Sequence, residues 1–251
     1  MKQIDYLLSD PYITPQGVES QYTEKIWRLP ETRWCFTPPV KDIPVSVLPA
    51  NTNGHITFGC FNNLTKINDS VLMLWSQVLH STPDSCLFIK NEQLRSAAVR
   101  EQTLERFKHQ GIATSRLILE GPSPRADYLA AYNRVDLMLD TFPFPGGTTS
   151  VEALWMGLPV LTLAGDRLLE RQGVGILINA GLQEWIASDC DDYVRRALLY
   201  SSDLRKLNAL RQGLRQKVLA SPLFDAARFA RHIEAALWGM YNTTNALRYE
   251  V

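Results

Sequence analysis

Short apolar runs alternate with amphipathic segments through the middle of the chain, and this alternation predicts a parallel α/β sheet. The runs predicted to be strands are residues 56–61, 86–89, 117–119, 135–139 and 160–163. The intervening helices, predicted from apolar positions at helical spacing, are residues 69–79, 94–110, 125–133 and 149–156. Strands that alternate with helices form right-handed βαβ units, so the pattern predicts a doubly wound, Rossmann-like parallel sheet.

Both ends of the chain depart from this alternation. Near the start, residues 4–8 are predicted to be a strand and residues 22–29 a short helix, and prolines at 30, 38, 39, 44 and 49 predict an extended connector. Beyond residue 165 helices dominate, near residues 168–178, 192–200, 203–219 and 226–241. The boundaries that follow are 1–55 for a segment unable to form a domain by itself, 56–241 for the main domain and 242–251 for a frayed tail.

Composition narrows the function classes. The chain has 251 residues, enough for one large domain, and its 26 basic and 26 acidic residues cancel, which argues against nucleic-acid or polybasic membrane binding. We see no signal-peptide core at the start and no apolar stretch long enough to span a bilayer, so we expect a cytoplasmic protein. The cysteines are widely spaced, which predicts buried free thiols in a reducing compartment. They are Cys35, Cys60, Cys86 and Cys190.

A Pro/Gly loop followed by two threonines comes directly after the fourth predicted strand. Gly146 and Gly147 let the backbone approach a ligand closely. Thr148 and Thr149 place hydroxyl and N–H groups at a helix start, where the helix dipole favours phosphate oxygens. Glu152 could complete a capping box with Thr149 or bind the hydroxyls of a ribose. A nucleoside diphosphate accounts for all of these groups, whereas capping alone leaves the paired glycines and threonines unexplained.

Two further strand ends carry polar loops. Lys66, after the first strand, can neutralise a diphosphate as a compact charge, and its alternative is a surface lysine before the next helix. Pro124 suits the first turn of a helix, which places Arg125 and Tyr128 in that turn, where Tyr128 either stacks on a base or packs on its own helix. The carboxyl ends of parallel strands share one edge of a sheet, so the three loops are expected to converge there.

These segments carry a family resemblance. The run 148–166, together with residues 61–66 and 221–224, resembles the O-GlcNAc transferase/SPINDLY family, glycosyltransferase family 41. The resemblance extends from about residue 5 to 241 and covers only the C-terminal half of the GT-B catalytic region. It implies inverting transfer of N-acetylglucosamine from UDP-GlcNAc to protein serine or threonine, without a metal or another cofactor. It also implies that residues 1–55 are a remnant of the N-terminal lobe plus its connector, and that residues 56–241 are the nucleotide-sugar-binding lobe.

The resemblance also implies a role for each candidate residue. Lys66 takes the place of the catalytic lysine that stabilises the leaving diphosphate. The donor-binding positions are Asn63 and the two threonines for the diphosphate, Arg125 and Glu152 for the ribose, and Tyr128 for the base. Three positions depart from the family pattern: Gly147 and Tyr128 replace histidines, and Arg125 replaces a lysine. The implied partners are a nucleotide sugar, a protein acceptor, and either a separate N-terminal lobe or a second copy of the chain, with no nucleic acid or membrane.

Other interpretations remain open at this stage. A non-catalytic nucleotide-sugar-binding module or pseudoenzyme is favoured by Gly147, Arg125 and the absent half, and an epimerase of related fold fits the loop at residues 62–66 less well. The family default is N-acetylglucosamine, but relatives use fucose or glucose.

Residues 189–192 have an acidic spacing found at metal sites, yet no predicted strand precedes them, so they are predicted to cap a helix. The four histidines are scattered, which predicts no metal site. Four tryptophans at apolar helix positions are predicted to lie in the core: Trp75, Trp155, Trp185 and Trp238.

Overall fold

The computed structural model describes residues 3–39 and 43–249, with side chains described as far as residue 244. Its strands are β1 (Tyr6–Ser9), β2 (Lys25–Arg28), β3 (Thr57–Cys60), β4 (Cys86–Lys90), β5 (Leu117–Glu120), β6 (Leu137–Leu139), β7 (Val160–Leu163) and β8 (Ile186–Ala187). Strands β3 to β8 form one sheet in the order β5-β4-β3-β6-β7-β8, and every pairing in it is parallel. The predicted Rossmann-like parallel sheet is therefore confirmed, and β8 extends it beyond the region where strands were predicted.

Helices connect and follow these strands. They are α1 (Ala50–Asn53), α2 (Asp69–Ser81), α3 (Ala97–His109), α4 (Arg125–Ala131), α5 (Thr148–Trp155), α6 (Gln172–Asn179), α7 (Cys190–Ser202), α8 (Leu204–Leu219) and α9 (Ala226–Tyr249). Helix α9 continues through most of the segment predicted to be a frayed tail, of which residues 250 and 251 lie outside the described residues. Within the described ranges, no helix combines the length and apolar character needed to cross a bilayer.

The helix predicted at residues 22–29 is wrong, because this segment contains strand β2. Strand β2 pairs in parallel with β1, with Leu7 opposite Ile26. The Trp27 ring packs edge-on against Tyr6, with ring centroids 6.0 Å apart. Helix α9 also approaches this ring, because a Cβ on Gly239 would lie 2.4 Å from it. Aromatic and β-branched residues favour strands when a partner strand is available, and here that partner is distant in sequence.

The core is built mainly from the strands and the inner faces of the helices. Trp75, Trp155 and Trp185 are buried in it, as predicted. The prediction for Trp238 is wrong: it is 58% exposed, because it lies on the outward face of α9. The cysteine prediction also holds only in part. All four cysteines are free, but Cys60 is buried, Cys35 and Cys86 are half-buried and Cys190 is exposed.

A buried arginine fastens the proline-rich connector to the sheet. Arg211 of α8 is fully buried, and its Nε donates to the carbonyl of Ser46 at 2.9 Å. Its Nη1 donates to the carbonyl of Val135 at 2.7 Å, directly before β6, and its Nη2 donates to Ser46 Oγ at 3.0 Å. Burial lowers the pKa of Arg211 to about 10, while the nearby Asp136 carboxylate opposes this shift. The connector is thus held at the end of the sheet opposite the carboxyl ends of the strands.

Arg211→Ala should lower the free energy of unfolding by about 2–4 kcal/mol, because it leaves buried carbonyls without donors and creates a cavity. Chemical denaturation of the purified chain measures this change. Arg205→Ala is the matched control, since Arg205 is exposed on the same helix and its loss should change the value by less than about 0.5 kcal/mol. Equal losses for the two variants would contradict the fastening role of Arg211.

Candidate functional site

The loops that follow β3, β5 and β6 meet at the carboxyl edge of the sheet. Lys66, after β3, donates from Nζ to the carbonyl of Pro145, after β6, at 2.9 Å. Arg125, after β5, forms an ion pair with Glu152 of α5 at 2.5 Å. The structure thus brings the three predicted loops together through direct side-chain contacts. This edge of a parallel sheet is where α/β proteins bind their ligands.

Lys66 is half-buried at the end of a 3-10 helix, Leu64–Lys66. Its ammonium also lies 3.6 Å from the centroid of the Phe144 ring. Burial lowers the pKa of Lys66, and the nearby Asp140 carboxylate opposes this shift. Among the described residues, Lys66 forms no ion pair with a carboxylate, so its charge is available to an incoming anion. Lys66 thus contacts Pro145 and Phe144 of the loop after β6, and its role toward a diphosphate stays a prediction.

A buried carboxylate organises the loop after β6. Asp140 is 2% exposed, and its Oδ1 accepts from the Gly146 amide at 2.7 Å, the Thr141 amide at 3.0 Å and Asn62 Nδ2 at 3.1 Å. Its Oδ2 accepts from Thr162 Oγ1 at 3.0 Å. Burial raises the pKa of Asp140 to about 6, although these donors act in the opposite direction. The sequence reasoning missed this residue, whose signal is a lone carboxylate directly after an apolar strand.

Asn62 links the Asp140 carboxylate to the start of α5 through hydrogen bonds. Its Nδ2 faces Asp140 Oδ1, which can only accept while Asp140 is ionised, so the amide oxygen of Asn62 faces the other way. That oxygen accepts a hydrogen bond from the Thr149 hydroxyl. Thr148, by contrast, is exposed. The two predicted threonines therefore differ: the hydroxyl of Thr149 is engaged inside the protein, while Thr148 is exposed.

The paired glycines are explained by close packing. A Cβ on Gly146 would lie 2.2 Å from Ser150 Oγ and 2.9 Å from Asn62 Oδ1, so no side chain fits there. A Cβ on Gly147 would lie 3.1 Å from Nε2 of Gln172 in α6. The same Nε2 donates to the carbonyl of Gly146 at 3.1 Å. Gln172 was also missed at the sequence level, because it lies on a helix distant from the loop.

Helix α5 starts at Thr148 without a hydrogen-bonded side-chain cap. The capping box considered for Glu152 is thus not formed. Glu152 is 8% exposed, pairs with Arg125, and accepts from the hydroxyl of Tyr132 at 3.5 Å. A helix start that no side chain caps leaves its N–H groups free to bind an anion.

The remaining predicted residues lie beside this helix start. Tyr128 is half-buried against Phe61, with ring centroids 5.7 Å apart, and its hydroxyl lies 3.1 Å from the hydroxyl of Tyr132 on the following turn. Burial raises the pKa of Tyr128. Tyr128 thus packs against Phe61 after β3 as well as against Tyr132, and its stacking on a base stays a prediction. Asn63 is exposed, and its Oδ1 accepts from the amide of Thr65 at 2.9 Å, so it caps the 3-10 helix that ends at Lys66.

The acidic residues at 189–192 cap a helix, as predicted. Asp189 accepts from the amide of Asp192 at 2.8 Å at the start of α7, and Asp192 in turn pairs with Arg196 at 2.7 Å. In the part of the chain that the structure describes, no group of three or more His, Cys, Asp or Glu residues could hold a metal ion. Lys66, Arg125 and the N-terminus of α5 place positive charge at this edge of the sheet.

Asp140→Asn should alter how stability depends on pH. Burial raises the pKa of the Asp140 carboxyl from its ordinary value of 3.8 to about 6, so between these values the folded state binds more protons than the unfolded state. The wild type should then lose roughly 2 kcal/mol relative to Asp140→Asn as the pH rises from 4 to 7. The asparagine can keep its oxygen toward the three donors and donate to Thr162. Urea denaturation at several pH values measures the difference, and parallel profiles would contradict the assignment. Asp127→Asn is the control, since Asp127 is exposed and its profile should follow the wild type.

Comparisons with known proteins point to one family. The sequence model of glycosyl transferase family 41 matches residues 47–233. A probable UDP-N-acetylglucosamine–peptide N-acetylglucosaminyltransferase SPINDLY from Petunia hybrida is 36% identical over 242 residues, covering 95% of this chain and 26% of the relative. A solved mutant of the Thermobaculum terrenum O-GlcNAc transferase has a TM-score of 0.84 and 34% identity, covering 96% of this chain and 45% of that chain. S. aureus TarM, solved in complex with UDP, has a TM-score of 0.65 at 11% identity and so shares the fold alone.

The chain spans about a quarter of the length of the curated relatives that it matches. Its parallel sheet and helices are similar to a GT-B glycosyltransferase domain. The family match covers well over half of the chain and includes all three loops of the candidate site. The chain belongs to glycosyltransferase family 41.

Proposed function

We propose that this chain is the donor-binding half of an inverting protein O-glycosyltransferase, which transfers N-acetylglucosamine from UDP-GlcNAc to serine or threonine. The observation that carries the proposal is the convergence, at one edge of the sheet, of the uncapped start of α5 and the ammonium of Lys66, which pairs with no carboxylate among the described residues. Both groups favour the phosphate oxygens of a nucleotide. The names of the SPINDLY relatives support UDP-N-acetylglucosamine as the donor and a peptide as the acceptor.

In the proposed reaction, an acceptor hydroxyl attacks the anomeric carbon from the face opposite the diphosphate. The bond from that carbon to the diphosphate oxygen breaks, the hydroxyl proton passes to a base that we assign to the other lobe, and the sugar is transferred with inversion. Lys66 stabilises the negative charge that develops on the departing UDP, while the N–H groups at the start of α5, including that of Thr149, and the hydroxyl of Thr148 hold the phosphates. No divalent metal is needed, because the ammonium and the helix dipole supply the positive charge.

The ribose side of the site needs a rearrangement. In the structure the carboxylate of Glu152 is engaged by Arg125, and Glu152 is also the group assigned to the ribose hydroxyls. Because the guanidinium is 54% exposed, it can shift toward solvent or toward the ribose when a nucleotide binds. In this proposal the ring of Tyr128, which packs with Phe61 and Tyr132, contacts the base. The exposed Asn63 contacts the diphosphate.

A non-catalytic nucleotide-sugar-binding module is the second candidate. Two observations favour it: the ion pair that engages Glu152, and Gly147, which offers no side chain where the family resemblance places a histidine donor. Both candidates predict binding of the nucleotide, and they differ in whether transfer follows.

UDP should bind to the purified chain, and Lys66→Ala should weaken this binding at least about tenfold, because it removes a charged hydrogen bond of ~1.5 kcal/mol. Isothermal titration calorimetry measures both affinities. Lys108→Ala is the control, since Lys108 is exposed on α3 and pairs with Glu105. The affinity should be the same in EDTA and in Mn²⁺. Equal affinities of the wild type and Lys66→Ala would remove Lys66 from the site, and a large gain with Mn²⁺ would contradict the metal-independent proposal.

The 251 residues alone should not glycosylate peptides, because catalysis also needs an acceptor held in near-attack geometry against the anomeric carbon. In a GT-B enzyme the acceptor lies in a cleft between two lobes, and we assign the acceptor side and the base to the other lobe. The assay is transfer of labelled N-acetylglucosamine from its UDP donor to a peptide mixture, with and without a matching N-terminal lobe. Turnover by the chain alone would overturn the half-enzyme proposal. Binding of UDP without turnover, even with the added lobe, would favour the second candidate.

A further inference from the structure

An exposed aromatic ring covers the ammonium of Lys66. Phe144 lies in the Pro/Gly loop after β6 and is 41% exposed. The centroid of its ring is 3.6 Å from Lys66 Nζ, which places the cation directly over the ring face. A ring this exposed contributes little apolar burial, but its face attracts a cation electrostatically.

The contacts of the Lys66 ammonium leave one of its N–H groups without an acceptor in the described protein. A lysine ammonium has three N–H donors. One donates to the carbonyl of Pro145 at 2.9 Å, and the Phe144 ring covers a second side. Among the described residues, Lys66 donates no second hydrogen bond to the protein. The remaining N–H is therefore unsatisfied within the described protein.

Both groups that hold Lys66 belong to a loop that is itself fixed. Asp140 binds the amide of Gly146 at 2.7 Å, and Gln172 binds the carbonyl of Gly146 at 3.1 Å, one residue beyond Pro145. The position of the ammonium thus follows the position of this loop, which leads directly into α5. Lys66, which lies in the loop after β3, therefore keeps a fixed position relative to the start of α5, which follows β6.

We infer that Phe144 is a positioning residue, whose ring holds the ammonium of Lys66 toward the diphosphate at the start of α5 and shields it from water. The inference rests on the proposed function, because it requires a diphosphate at this edge of the sheet. Excluding water from one side of the ammonium lowers the local dielectric constant and strengthens its attraction to phosphate oxygens. Phe144 acts through Lys66, so its effect on binding should exist only while Lys66 is present.

A double-mutant cycle tests this dependence. Phe144→Leu keeps an apolar side chain but removes the ring, and it should weaken UDP binding roughly three- to tenfold. Phe144→Tyr keeps the ring and should bind UDP within about twofold of the wild type. In the Lys66→Met background, Phe144→Leu should change the affinity by less than about twofold, because the cation that the ring acts on is gone. Isothermal titration calorimetry of the four proteins of the cycle and of Phe144→Tyr gives the affinities, and thermal unfolding gives their Tm values, which should agree for wild type and Phe144→Leu.

The outcomes separate this inference from the proposed function. If Lys66→Met leaves the UDP affinity unchanged, the role proposed for Lys66 fails, and this inference fails with it. If Lys66→Met weakens binding but Phe144→Leu does not, the proposed function stands and only the positioning role of Phe144 is overturned. An equal loss from Phe144→Leu in both backgrounds would show that the ring acts on the nucleotide directly. A lowered Tm that Phe144→Tyr does not restore would show a structural role instead.

Discussion

The buried carboxylate of Asp140 is the constraint on which the candidate site depends. Removing a carboxylate from water costs several kcal/mol unless its oxygens are well bonded, so the surrounding chain must bring donors to it. Here the donors are the amides of Thr141 and Gly146, the side-chain amide of Asn62 and the hydroxyl of Thr162. They come from β7, the loop after β3 and the loop after β6. Displacing that last loop would leave the carboxylate under-bonded in an apolar surrounding, and this cost gives the loop one preferred shape.

The remaining features of the site extend this constraint outward. Asn62 links Asp140 to the hydroxyl of Thr149, while Gln172 binds the carbonyl of Gly146 and Lys66 binds the carbonyl of Pro145. The loop is therefore held in two ways: Lys66 and Gln172 donate to its carbonyls, and Asp140 accepts from its Gly146 amide. Donors fixed in this way before a ligand arrives need no reorganisation when negative charge develops, which is the condition for electrostatic stabilisation of a leaving group.

Membership of the family and the chemistry of the site have different support. The family model matches residues 47–233 and the SPINDLY relative matches 95% of the chain, so the fold and the family do not depend on any one residue. The chemistry does depend on single residues, and the three positions that the resemblance marks as departures, 125, 128 and 147, all lie around the start of α5. The structure shows how the chain accommodates one of them: Arg125 pairs with Glu152, which balances the charge of a carboxylate that is only 8% exposed.

The sequence by itself determined the parallel sheet, the order of its main elements and the edge at which the polar loops meet. Apolar runs and helical spacing are local patterns, and parallel strands necessarily bring their carboxyl ends to one edge. The convergence of the loop at Lys66 with the loop before Thr148 could thus be predicted before any contact was known.

Tertiary structure decided everything that depends on contacts between distant residues. Residues 25–28 form a strand because β1 is available to pair with them. Trp238 is exposed because it lies on the face of α9 that points away from the core. Three contacts of the site likewise join residues far apart in the chain. They are the hydrogen bond from Asn62 to Asp140, the ion pair of Arg125 with Glu152 and the contact of the Lys66 ammonium with the Phe144 ring. A local pattern can show that a charged or aromatic side chain is present at a loop. Only the packing of one loop against another determines its partner, because that partner is chosen by distance in space and by the cost of leaving a buried polar group unbonded.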